Sequence, residues 1–157
     1  MYSGTSIKPL ANETVRFQLR GREIALCGAE LDSGSEAVRD AVGKLEKTGD
    51  SMTLRILLSH RPDIALGMRP DSNIDLVVAG HTHGGQVQLP FYGPPITLSF
   101  VPKQVAAGGL HRMSGNWIYV SRGVGHEQGQ APCVRFLCPP EISIISLCSD
   151  RMALAKL

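Results

Sequence analysis

Gly80-His81-Thr82-His83-Gly84-Gly85 is the stretch of this chain whose residue types are best suited to chemistry. Two histidines at i and i+2 in an extended segment project to the same side. Neutral imidazole is a good ligand for zinc, manganese, iron and similar ions. The flanking glycines carry no side chain to crowd an approaching ion or substrate, and they tolerate positive φ. A second candidate is His60, in Leu57-Leu58-Ser59-His60-Arg61-Pro62-Asp63. A lone histidine at a strand end is more often a hydrogen-bonded structural residue than a ligand. His60, His81 and His83 are singled out as metal ligands because their two contexts occur together.

Those contexts are both strand ends. Residues 54–58 (LRILL) and 74–79 (IDLVVA) read as short buried strands, with a short helix started by Pro62 between them. A strand, helix, strand order predicts a parallel pair in an α/β layer. Parallel neighbours would bring His60 and His81 to one sheet edge, where open α/β sheets place their ligand sites. Upstream, 14–19 and 23–28 read as a hairpin turning at Arg20-Gly21-Arg22. Residues 29–34 are loop-like, and Ser35 would cap a helix over 36–47 with Val38, Val42 and Leu45 on one face. Downstream, proline and glycine predict an irregular excursion over 88–115. Its Phe91, Tyr92 and Phe100 would either wall an apolar substrate or pack on one another. Residues 117–121, 134–137 and 141–147 read as strands, and 151–157 as a tail.

Composition narrows the class. The chain has 157 residues, 43% hydrophobic and 19% charged, as expected of one folded domain. A net charge of +2 with scattered basic residues gives no nucleic-acid footprint. Cys27, Cys133, Cys138 and Cys148 form no C-x-x-C pair and read as free thiols of a reducing compartment, Cys27 and Cys148 as small buried hydrophobes. No signal peptide or membrane-spanning run is visible. A cytoplasmic location, or one peripheral to the inner membrane, is expected.

The segments around His60 and His81, from Leu57 to Asp63 and from Asp75 to Gln86, resemble the calcineurin-like metallophosphoesterases. The bacterial branch related to membrane-associated phosphodiesterases is especially similar. Leu89-Pro90, the run Tyr119-Val120-Ser121-Arg122-Gly123-Val124-Gly125, Val134-Arg135-Phe136 and Pro139-Pro140-Glu141-Ile142 extend the likeness over most of the chain. The resemblance implies an α/β (α+β) fold, a β-sandwich flanked by helices, with two divalent metal ions at one sheet edge. His60 and His81 would hold one ion and His83 the other. It implies a metal-dependent phosphatase or phosphodiesterase acting on a phosphoester small molecule or a lipid-linked substrate. Polarising a phosphoryl group and generating a hydroxide nucleophile is the chemistry of such metal pairs.

The family's upstream motifs, an Asp-x-His, a metal-bridging Gly-Asp and a Gly-Asn-His-Asp, have no counterpart before His60. Gly49-Asp50 lies in a polar turn after a helix and reads as a loop. Residues 1–150 are therefore expected to be the C-terminal part of a metallophosphoesterase domain that lacks its N-terminal strands, with Met1 not the true start. The complete protein would then lie near a membrane.

Arg122 is a candidate phosphate contact, since guanidinium suits that geometry, or else one half of an ion pair. His126 is a weak substrate-side candidate, His111 a structural histidine, and Glu30 and Asp32 a solvated loop. Two other readings remain open. One is a mononuclear zinc hydrolase using His60, His81 and His83 with a fourth position for water. The other is a catalytically inactive remnant or binding module. Loss of inner strands would leave an open sheet edge, and with it an oligomeric or poorly behaved chain.

Overall fold

A computed structural model describes residues 4–131 and 133–147. Strands β1 (Glu13–Leu19) and β2 (Arg22–Ala29) form the expected hairpin, paired antiparallel from Glu13↔Gly28 to Leu19↔Arg22. Arg20 and Gly21 both take positive φ, 50° and 76°. That is the two-residue turn whose twist matches the flanking strands. Helix α1 (Glu36–Glu46) starts at Ser35, whose side chain accepts a hydrogen bond from the Val38 N–H at 3.2 Å. This satisfies one of the orphan donors of the first turn.

Strands β3 (Leu54–Ser59), β4 (Leu76–Ala79), β5 (Gly109–Met113) and β6 (Asn116–Val120) complete a six-stranded sheet of order β1-β2-β3-β4-β6-β5. β2, β3, β4 and β6 run parallel, and β1 and β5 close the two sides as antiparallel hairpin partners. A 3-10 helix, Pro62–Gly67, and the single helical turn α2 (Lys103–Ala106) join α1 on one face. There Ala25, Cys27, Leu57, Val77, Ile118 and Val120 of the strands pack with Val38, Ala41, Leu45, Ile64, Val105 and Ala106. The mixed α/β layer is the expected fold class.

The opposite face is also apolar. Strand register places Leu26, Ile56, Leu76 and Trp117 in one row, and Gly28, Leu58, Val78 and Tyr119 in the next. Phe17, Leu19 and Leu110 on the outer strands are exposed. The described residues provide a helical layer for one face of the sheet only.

At the end of the sheet remote from the histidines, the buried Arg55 clamps the α1–β3 connection. Its Nε donates to Thr48 O at 2.9 Å, Nη1 to Thr53 O at 3.1 Å and Nη2 to Asp50 O at 2.8 Å. Carbonyl dipoles thus solvate the buried cation, as a buried charge requires.

Three sequence expectations change. The 88–115 stretch is not wholly irregular: it ends in α2 and β5, and Ser114-Gly115, with φ of 46° and 80°, turns β5 back into β6. Phe91 and Phe100 are exposed and do not pack on one another. Residues 134–137 and 141–147 are not strands. The first makes a single bridge, Val87↔Phe136. The second pairs with no strand among the described residues, and its Ile142 and Ile144 are 88% and 94% exposed. Cys27 and Cys138 are buried and Cys133 is exposed, all three as free thiols. Cys148 and the 151–157 tail lie outside the described residues. Among the described residues no helix is long and apolar enough to cross a membrane.

Candidate metal centre

His60 follows the last residue of β3, and His81 lies just beyond the end of β4. The parallel register carries on into the loops, where Gly80 N donates to His60 O at 3.2 Å. The two imidazoles therefore meet. His60 Nε2 and His81 Nδ1 are 3.1 Å apart, with ring centroids at 4.9 Å and planes inclined by 59°. Burial lowers the His60 pKa, and the adjacent His81, Arg61 and His83 push it further down. A neutral ring with a lone pair is the form that binds a metal.

The His-Thr-His segment is not extended as its spacing predicted. His81, His83 and Gln86 take φ of 69°, 50° and 61°, and Gly84 and Gly85 continue the left-handed run. Non-glycine residues seldom adopt this region, and such strain clusters at functional sites. The chain coils tightly, so His83 does not point with His81. Its Nδ1 lies 3.2 Å from Gly125 O instead. The glycines are required by contact as well as by φ. A Cβ on Gly84 would come within 2.7 Å of Cys138 Sγ, and one on Gly85 within 2.4 Å of Pro94 Cβ.

Backbone carbonyls stand behind both motif histidines. Leu98 O is 3.1 Å from His81 Nε2. A carbonyl accepts from a protonated ring nitrogen, which leaves the other nitrogen bare: Nδ1 on His81 and Nε2 on His83. Metal-ligating histidines have this arrangement, donating the second N–H to a carbonyl or carboxylate. Arg61 opposes it at His81, where its Nε donates to Nε2 at 3.2 Å. One nitrogen cannot donate to Leu98 and accept from Arg61 at once.

The His60–His81 pair fits a divalent ion. A 3.1 Å separation of His60 Nε2 and His81 Nδ1 is what neighbouring ligands of one ion show when each lies at about 2.0–2.1 Å, provided that both nitrogens are bare. The pair is not a complete centre. Among the described residues no group of three or more His, Cys, Asp or Glu side chains could hold an ion.

The remaining candidates are engaged elsewhere. Arg122 donates from Nε to Ala107 O at 2.9 Å, and its Nη1 is 3.8 Å from Glu141. His126 is exposed, with Gln128 for company at 3.4 Å. His111 rests on Gly108 O at 3.0 Å. Sequence reasoning missed Arg61 and Gln86 as neighbours of the histidines, and Asp63 as the partner of Ser99 and Phe100 beside them. Arg61 and Asp63 were signalled only by their closeness to His60. The Leu98 and Gly125 carbonyls leave no trace in residue type.

An uncharacterised metallophosphoesterase of Bacillus subtilis, YkuE, is 41% identical over 119 residues, 76% of this chain. The chain belongs to the calcineurin-like metallophosphoesterases. Phosphodiesterase YaeI of Escherichia coli is 39% identical over 93 residues, 59% of the chain. A metallophosphoesterase of Helicobacter pylori strain J99 is 35% identical over 113 residues, 71% of the chain. The chain spans 39%, 32% and 28% of these three relatives' own lengths. No family model matches the sequence, and no solved structure matches it.

Proposed function

We propose that this chain contributes to the binuclear metal centre of a metal-dependent phosphoester hydrolase. His60 and His81 would hold one divalent ion, of manganese, iron, zinc or a similar metal, and His83 would serve a second. When bound, such ions supply Lewis acidity toward a phosphoryl oxygen and activate water as the nucleophile. The observation that carries the reading is the His60 Nε2 to His81 Nδ1 approach of 3.1 Å at the ends of two parallel strands.

The chain's own residues have limited, specific tasks in this reading. β3 and β4 fix the spacing of the two imidazoles, burial lowers the His60 pKa, and the Leu98 and Gly125 carbonyls orient His81 and His83. The substrate class is a phosphoester, of a small molecule or a lipid-linked compound. The printed name of YaeI, a phosphodiesterase, agrees with it.

Elemental analysis and calorimetric titration with zinc or manganese test the proposal. The chain, purified without chelators, should bind divalent ion, and His60→Ala and His81→Ala should abolish the site that the pair provides. His83→Ala should spare that site. A folded chain whose binding is the same in all four proteins would overturn the assignment.

A further inference from the structure

Asp63 touches neither His60 nor His81, yet it is tied to the segment that does. It lies in the first turn of the 3-10 helix Pro62–Gly67. Its Oδ1 accepts from the Phe100 N–H at 2.7 Å and its Oδ2 from the Ser99 hydroxyl at 3.0 Å. The Ser99 oxygen in turn accepts from the Val101 N–H at 3.4 Å. One carboxylate therefore stitches residues 99–101 to the turn that follows His60. Leu98, immediately before the stitch, takes a φ of 51°. In that sparsely populated conformation its carbonyl meets His81 Nε2 at 3.1 Å.

We propose that Asp63 is a positioning residue that selects the tautomer of His81 through the Leu98 carbonyl. The inference rests on the reading of His81 as a ligand for its importance, though not for its geometry. Two groups compete for His81 Nε2. The Leu98 carbonyl requires a proton there. The Arg61 guanidinium, 3.2 Å away, requires a lone pair. If the carbonyl prevails, Nδ1 is bare and faces His60 Nε2 across the gap that an ion would enter. If Arg61 prevails, the proton moves to Nδ1 and hydrogen-bonds to His60, and the gap is closed to a cation. Besides the local Thr97 hydroxyl bond to the Ser99 carbonyl at 3.3 Å, the two bonds to Asp63 are the anchors of residues 99–100 among the described residues, so removal of the carboxylate frees Leu98 and leaves Arg61 unopposed.

Long-range proton–nitrogen NMR of the imidazoles in the metal-free full chain reads this directly, at a pH above the ordinary imidazole range. In the parent chain His81 should show a protonated Nε2 and a bare Nδ1. Asp63→Ala should move it toward the protonated Nδ1 form. Asp63→Asn should retain the parent pattern, because its amide still accepts from Phe100 and can donate to Ser99. Ser99→Ala, which leaves the Phe100 bond in place, should give an intermediate shift and covers the case in which Asp63→Ala does not fold. Zinc binding at the His60–His81 pair should weaken by about tenfold to a hundredfold in Asp63→Ala, the range typical of lost outer-shell partners. Unchanged His81 nitrogens in a folded Asp63→Ala chain with the Phe100 amide displaced, or in a folded Ser99→Ala chain, would overturn the proposal. A parent chain that binds no zinc would overturn the metal reading and leave the tautomer result standing.

Discussion

Gln86 holds the main chain of Glu127 by both ends of its amide: Nε2 donates to the Glu127 carbonyl at 3.3 Å, and Oε1 accepts from the Glu127 N–H. The side chain is 1% exposed. The residue after the two glycines thus fastens the loop whose Gly125 carbonyl faces His83. Arg135 reaches the same carbonyl through Nε at 3.1 Å. Gln86→Ala removes both bonds and leaves a small void. It should cost about 1–3 kcal/mol, read as a lower urea midpoint, and should shift the His83 and Gly125 resonances more than those of His60. Equal shifts at both histidines would contradict the assignment.

Gly85 and Gly123 both have positive φ, 74° and 63°, but only Gly85 is crowded. A methyl at Gly123 meets nothing within 4 Å, so Gly123→Ala carries only the left-handed penalty of roughly 1–2 kcal/mol. Gly85→Ala must also displace both Pro94 and the Ile96 carbonyl, adding about 1–3 kcal/mol of overpacking. Thermal unfolding should rank parent, Gly123→Ala and Gly85→Ala in falling order. Equal melting temperatures for the two variants would refute the close approach.

Glu141 sets a pH limit. Burial alone would raise its pKa, but the Tyr119 hydroxyl, the Arg122 N–H and the Arg122 charge outweigh burial and hold the carboxyl below its ordinary value of 4.5. As pH falls, the unfolded chain takes up this proton first. The stability contributed by the ionised form is complete above 4.5 and is lost as pH drops through the lower folded value. Acid titration of the chain should therefore show Tyr119 and residues 141–143 loosening below that point, and Glu141→Gln should flatten that part of the profile. An unchanged acid profile in Glu141→Gln would remove the carboxylate from the explanation.

Ile142 and Ile144 stand almost wholly in water, and the sheet face bearing Leu26, Leu58 and Val78 has no helical cover among the described residues. Exposed apolar surface of this kind drives association. The chain on its own should elute from size exclusion as oligomers, and Ile142→Ser with Ile144→Ser should shift it toward monomer. A sharp monomer before substitution would show that the face is covered.

Local rules gave most of the framework. The β1–β2 hairpin, the Ser35 cap and the β3–β4 pair follow from turn chemistry, capping and apolar runs, and they bring His60 beside His81. The site's finer structure was not legible because it depends on backbone dihedrals. An alternating His-x-His reads as extended, but positive φ at His81 and His83, with Thr82 between them at -69°, coils it, and His83 Nδ1 lies against the Gly125 carbonyl. The β5 strand was obscured by the glycines around it, which form its turns. Residues 141–147 have the alternation of a strand, yet alternation describes a face and does not supply a neighbour.

The parallel order of the sheet has a kinetic consequence. β1–β2 and β5–β6 are joined by tight turns and can zip locally. Ile56↔Leu76 and Leu76↔Trp117 must wait until the intervening chain has collapsed, since loop closure comes before the contacts that reward it. The approach of His60 to His81 depends on the β3–β4 step. The histidine pair is therefore a late product of folding, and an intermediate with both hairpins formed would still hold His60 and His81 apart.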